Sequence, residues 1–164
     1  MSSLRVIFFA IITLFLNGCQ TAKNLPKSDF HFYIESNETS ANALWIRTAT
    51  MPVSDLKINI CPYPALLAKD VEFAQLIPSN VGQCILFKFT HPASVMLYQL
   101  SVESVGRKIV LIFNGQPIGL SMPINSTIMD GTLAIFPEIN EDELKSVIKE
   151  INDTVVKIKK LKKD

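Results

Sequence analysis

Apolar and polar positions along residues 107–123 (RKIVLIFNGQPIGLSMP) describe a hairpin. The run KIVLIF meets Asn114-Gly115 and turns back into Ile118, Leu120 and Met122 on one alternating face. Asn-Gly between two such runs is a strong hairpin signal, because both turn residues need positive φ. The first arm has no polar break and predicts a central strand covered on both faces. The second carries Pro117, which cannot donate to a ladder, and reads as an edge or bulged strand.

The same periodicity recurs upstream. Phe30, Phe32 and Ile34 alternate with His31 and Tyr33; Leu44, Ile46 and Thr48 alternate with Trp45 and Arg47; Leu56, Ile58 and Ile60 alternate with Lys57 and Asn59. Each set predicts a short strand. Residues 70–77 read as a further strand closed by Pro78, with helix as the alternative. Ile85, Phe87 and Phe89 mark another strand. Thr90-His91-Pro92 then starts a helix, with a capping hydroxyl and a proline where its missing N–H costs nothing. That helix is expected to stop at Gly106, a natural C′ residue. It carries two apolar stripes (Ala93, Met96, Leu97, Leu100 and Val95, Tyr98, Val102, Val105), and Glu103 is its only formal charge. A helix this apolar needs covering on more than one side.

Asp130-Gly131 opens the strand TLAIF. Asn140 and Glu143 then form an Asn-x-x-Glu capping box. Leu144, Val147, Ile148, Ile151, Val155 and Ile158 follow at helical spacing, with acids in the first turn and Lys157, Lys159, Lys160, Lys162 and Lys163 at the end. The helix dipole favours that polarity. This last helix is the expected cover for the second stripe of the first, with Leu144, Val147, Ile148 and Ile151 facing Tyr98 and Val102. The fold class is α+β, an antiparallel sheet with two helices mainly on one face.

At 164 residues the chain holds one domain plus appendages. Its net charge of +1 excludes a globally basic nucleic-acid binder. Part of the 48% hydrophobic content sits in the first eighteen positions. There, Arg5 precedes an apolar run over 6–16, too short for a stable membrane-spanning helix. A charged start, a short apolar run and a small residue make a secretory signal peptide. The ending Leu16-Asn17-Gly18-Cys19 resembles the lipobox of bacterial lipoproteins. That resemblance implies that 1–18 are removed and that Cys19 carries acyl chains of the palmitate type. Cleavage would take Arg5 and no acid, leaving a mature chain of zero formal charge. Gln20 after the cysteine resembles enterobacterial sorting to the outer rather than the inner membrane. Residues 19–28 then read as a tether.

The order strand, helix, hairpin, strand, helix over 84–151 resembles the head of the first periplasmic domain of the translocase subunit SecD. The residues carrying the likeness are Val105-Gly106-Arg107-Lys108, Phe113-Asn114-Gly115-Gln116, Met122-Pro123-Ile124, the stretch 128–131, and the acids opening the last helix. The resemblance implies an α+β periplasmic module that contacts exported chains. It divides the mature chain into a strand-rich part, 29–83, and a SecD-head-like part, 84–164. Proton-driven export needs ionisable residues inside a membrane, and no such segment is visible in this sequence.

Catalytic constellations are not visible either, and the expectation is a non-enzyme without cofactor. His31 and His91 have no ligand-type spacing to a cysteine, so no metal site is expected. Asp142 and Glu143 are explained by helix capping and dipole. Cys61 and Cys84, in an oxidising periplasm, suggest a disulfide if their strands neighbour, with two buried thiols as the alternative. The expected function is a lipid-anchored periplasmic interaction module, an accessory in export or envelope assembly, with an envelope protein or exported polypeptide as partner and no nucleic acid. The alternative is a carrier of an apolar ligand or lipid held between helices and sheet. A fatty-acid label should mark the wild type and spare Cys19→Ala; equal label in both would refute acylation at Cys19.

Overall fold

Phe30, Phe32 and Ile34 face one side of a strand and Tyr33 the other, and both sides are buried. A strand buried on both sides needs two covering layers, and the chain supplies them. The computed structural model describes residues 26–37, 46–80 and 82–162. The signal run, Cys19, most of the tether, and Leu44 and Trp45 lie outside the described residues.

The elements in order are β1 (Phe30–Ile34), β2 (Arg47–Thr50), β3 (Lys57–Ile60), β4 (Leu66–Leu67), a 3-10 turn (Ala68–Asp70), β5 (Val71–Ser79), β6 (Gly82–Phe89), α1 (His91–Glu103), β7 (Ile109–Phe113), β8 (Gln116–Leu120), β9 (Thr132–Pro137) and α2 (Glu141–Leu161). Seven strands form one antiparallel sheet in the order β4-β1-β7-β8-β9-β6-β5. β2 and β3 form a separate two-stranded ribbon. The strand-rich part and the SecD-head-like part thus share a single sheet.

The expected hairpin is present. Asn114 and Gly115 have φ of 48° and 81°, the double positive that the tight turn demands. β7 is central, as its unbroken apolar run requires. Its Ile109, Leu111 and Phe113 enter the main core, and Val110 enters the second. β8 corrects the edge-strand alternative, because it pairs with β7 on one side and β9 on the other. The bulged reading holds. Leu111 opposes Gly119 and Ile112 opposes Pro117, so Ile118 is the extra residue. The bulge lets an interior strand tolerate a residue without an N–H.

Main core and helices lie on one face. Phe30, Phe32, Phe87 and Phe89 meet Ala93 and Leu97 from α1 and Leu144, Val147, Ile151 and Val155 from α2. β1 and β6 are four steps apart in the sheet, about 19 Å if it were flat. Yet the Phe32 and Phe87 rings sit 4.9 Å apart, edge to face. The sheet is curled around its phenylalanines. On the opposite face the β2–β3 ribbon covers β1, β7 and β8 through Ala49, Met51, Ile58 and Ile60 against Tyr33 and Val110.

α2 serves a second purpose. Asn140 caps it by accepting the Glu143 N–H at 2.8 Å, as the sequence indicates. Within the helix, the Asn152 side-chain amide accepts the Ala74 N–H at 2.9 Å and donates to the Ala74 carbonyl at 2.8 Å. Ala74 belongs to the edge strand β5, and its backbone pair points away from β6 by the antiparallel alternation. Asn152 satisfies it as a neighbouring strand would. Lys159 donates to the Glu72 carbonyl at 2.9 Å, and Pro78 occupies a later outward-facing position where no donor is lost.

An alanine in place of an exposed helical asparagine is neutral or stabilising, since asparagine is a poor helix former. Here the expected sign is opposite. Asn152→Ala should cost about 1–3 kcal/mol in urea unfolding because Ala74 loses both partners, and light scattering should show concentration-dependent association through the opened edge. Unchanged or raised stability would refute this role.

Candidate functional site

α1 starts and stops about where the sequence indicates, but the capping hydroxyl expected of Thr90 is not used. Thr90 takes an extended cap conformation, φ −61° and ψ 158°, and Pro92 stands in the first turn. The Thr90 hydroxyl makes no capping bond. Instead the Ser94 hydroxyl donates to the Thr90 carbonyl at 3.0 Å. Gly106 follows the helix with φ of 82°, the left-handed stop that glycine permits.

Ala93, Leu97 and Ser101 form the buried side of α1. The opposite side is also apolar and is open. Val95, Met96, Tyr98, Val102 and the adjoining Val105 range from 40% (Tyr98) to 63% (Val105) exposed. This overturns the expectation that α2 covers the second stripe. Leu144, Val147 and Ile151 enter the common core, and Ile148 is half-buried against it. The reason is positional: α2 packs on β5 and the 3-10 turn at the sheet edge, where Asn152 and Lys159 bond to the strand.

A loop over 121–131 runs antiparallel along one flank of α1, tied at successive points. The Ser101 hydroxyl accepts the Ile128 N–H at 2.9 Å and donates to the Tyr98 carbonyl at 2.7 Å. The Gly106 N–H donates to the Ile124 carbonyl at 2.8 Å. Gly131, at φ 64°, lies against Ser94, whose hydroxyl a Cβ there would strike. At the base of the loop, Ser121 Oγ accepts the Ile109 N–H at 2.9 Å and donates to the Met122 carbonyl at 2.7 Å. The Thr132 hydroxyl holds the Asp130 carboxyl below its usual range. By helical spacing Tyr98 and Val105 lie on the loop side, so stripe and loop form one surface. Beyond the loop, its Met122, Ile128 and Met129 join Ala134 and Phe136 of β9 around an open groove of ≈ 590 Å³.

The remaining sequence candidates do not converge. Cys61 and Cys84 are both free thiols, which corrects the disulfide expectation. Cys61 follows β3, whereas Cys84 lies on β6 between β5 and β9, so their strands are not neighbours. Burial raises the Cys84 thiol pKa, which keeps it protonated and unreactive. His31 Nε2 stands 3.5 Å from Asp29 Oδ1 in a polar groove beside the β2–β3 ribbon, while His91 is exposed at the start of α1. No group of metal-ligating side chains occurs among the described residues. Asn114 and Gly115 act in the turn, and Asn114 also ties the chain entry. Its Oδ1 accepts the Asp29 N–H at 2.9 Å. The buried serines, and the role of Asn152 at the sheet edge, were not foreseen from the sequence. A lone asparagine at mid-helix beside buried Ile151 is the one signal that could have shown the latter.

No protein-family model matches the chain, and no curated protein matches it. Solved structures do. A structure of SecDF, described as a membrane component that enhances protein export, is similar with a TM-score of 0.56 at 14% identity, over 79% of this chain and 62% of that one. SecDF in a super-membrane-facing form gives 0.54 at 14% identity, over 79% of this chain and 19% of that one. The chain therefore spans less than two thirds of the SecDF chains it matches. The likeness is one of fold, and it extends well beyond the stretch 84–151 that resembles SecD in sequence.

Ser101 is the hinge of this surface. Ser101→Ala should leave the Ile128 N–H without its acceptor at a cost of roughly 1–3 kcal/mol, and hydrogen exchange at Ile128 and Met129 should quicken while the sheet amides stay protected. Uniform loss of protection would mean that Ser101 supports the whole core instead.

Proposed function

We propose that this protein is an interaction module of the cell envelope, held by acyl chains on Cys19 and facing the periplasm, that takes hold of apolar segments of exported or envelope polypeptides. The observation that carries this reading is the exposed apolar side of α1. Large apolar side chains gathered on one exposed face, rather than scattered singly, mark sites of association. A stripe of valine and tyrosine bordered by three flexible methionines suits varied apolar partners, since thioethers adapt to irregular surfaces. The fold shared with a component that enhances protein export supports the same reading. The role is binding rather than catalysis. Among the described residues no helix is long and apolar enough to cross a membrane.

The carrier reading has less support. The space between helices and sheet is filled by the phenylalanine cluster and its neighbours, so a small apolar ligand would be left with the open groove beyond the loop.

A reduced, alkylated polypeptide that cannot fold is a suitable probe. The full-length protein should capture it, and Tyr98→Asp should weaken capture roughly thirtyfold, the loss expected for one aromatic anchor, with an unchanged thermal midpoint. A photo-crosslinker at Val102 should mark polypeptide, and one at Lys145 on α2 should not. Capture unaffected by Tyr98→Asp in a folded protein would refute the proposal.

A further inference from the structure

Methionine is by habit a core filler, and Met51 fits that habit at 0% exposure in the second core. The other three among the described residues do not. Met96, Met122 and Met129 are 47%, 62% and 78% exposed. All three border the surface described above. Met96 lies along the α1 flank away from the loop, and Met122 and Met129 lie on the loop tied to the other flank. The stripe of Val95, Tyr98 and Val102 runs between them. The thioethers that solvent can reach thus frame the apolar surface, and the shielded one sits beneath the ribbon.

We propose that Met96, Met122 and Met129 are a reversible oxidation site that switches this surface from apolar to polar. The inference rests on reading the surface as one that binds polypeptide. The oxidant class is hypochlorous acid. A sulfur lone pair attacks chlorine, the O–Cl bond breaks and hydroxide leaves, giving a chlorosulfonium. Water adds to that sulfur, chloride departs and two protons are released, one of which neutralises the hydroxide. The net change is thioether plus hypochlorous acid to sulfoxide plus chloride and a proton. In reversal, two thiols of a methionine sulfoxide reductase become a disulfide, and the oxygen leaves as water. A sulfoxide oxygen is a strong acceptor that an apolar partner leaves unpaired on contact, so binding falls. The fold persists because the modified side chains are not part of either core.

The test treats the full-length protein with hypochlorous acid and maps the oxidised peptides. Met96, Met122 and Met129 should each gain one oxygen while Met51 gains none and the circular dichroism is unchanged. Capture of the alkylated polypeptide should fall about tenfold or more and return after reductase treatment. A variant with all three methionines replaced by leucine keeps Cys61, the half-buried thiol that competes for oxidant, and should capture equally well before and after treatment. Equal oxidation of Met51, undiminished capture with all three sulfoxides formed, or loss of capture in the leucine variant would each overturn the proposal. Failure of the untreated protein to capture polypeptide would remove the functional reading and the switch together, whereas the oxidation map would still report whether the three sulfurs are selectively reached.

Discussion

The contact between Phe32 on β1 and Phe87 on β6 sets the shape of this domain. Three strands separate β1 from β6 in the sheet, and only curling brings their side chains together. Phe30 and Phe89 complete the cluster, with ring centroids 6.3 Å from Phe87 and 5.3 Å from Phe32. Fully burying each ring contributes roughly 1.5–3 kcal/mol, and edge-to-face packing adds to that. In a domain whose net stability is a small difference between large terms, four such rings decide which arrangement of strands prevails. The curl also limits what the helices can do. A sheet wrapped around its own aromatic residues leaves room for one flank of each helix, not for a helix pair stacked face to face.

That constraint accounts for the division of labour between the helices. α2 is strongly two-sided, with its apolar positions inward and its charges outward, and it lies along the β5 edge. α1 carries large apolar side chains on its outer side as well as its inner one, with Gln99 and Glu103 beside them, and nothing among the described residues covers that outer side. Its buried polar groups are nevertheless satisfied, because Ser101 and Ser94 bond to the backbone of the helix and its flanking loop. The surface is therefore held in place while remaining open, a combination that suits binding without rearrangement.

Local features were legible in the sequence. Asn114-Gly115 gave its turn, the unbroken run at 109–113 gave a strand buried on both faces, and Asn140 gave the start of α2. These depend on residues a few positions apart. What the sequence hid depends on strand order. The position of β8 between β7 and β9, the separation of Cys61 from Cys84, and the uncovered stripe of α1 all follow from which strands neighbour which. Alternation says which side a residue faces but not what stands there. The stripe on α1 shows this well. Its apolarity was plain, and only the place of α2 in space decided whether it was core or surface.

Asn152 ties a helix to a strand in a way that depends on rotation as well as distance. Its amide reaches Ala74 only while it points at the β5 edge, and one residue of helix corresponds to about 100° of turn. The segment from Asn140 to Asn152 is therefore a counted length. Insertion or deletion of one residue there would swing the amide off the edge and carry Ile151 out of the core in the same motion. Substitution along the exposed side of α2 is free by comparison. Sequence drift in this domain should thus leave the exposed side of α2 variable in composition and the helix fixed in length through Val155 and Lys159, which also reach the core and the β5 edge, and length changes should collect beyond them, at the lysine-rich end.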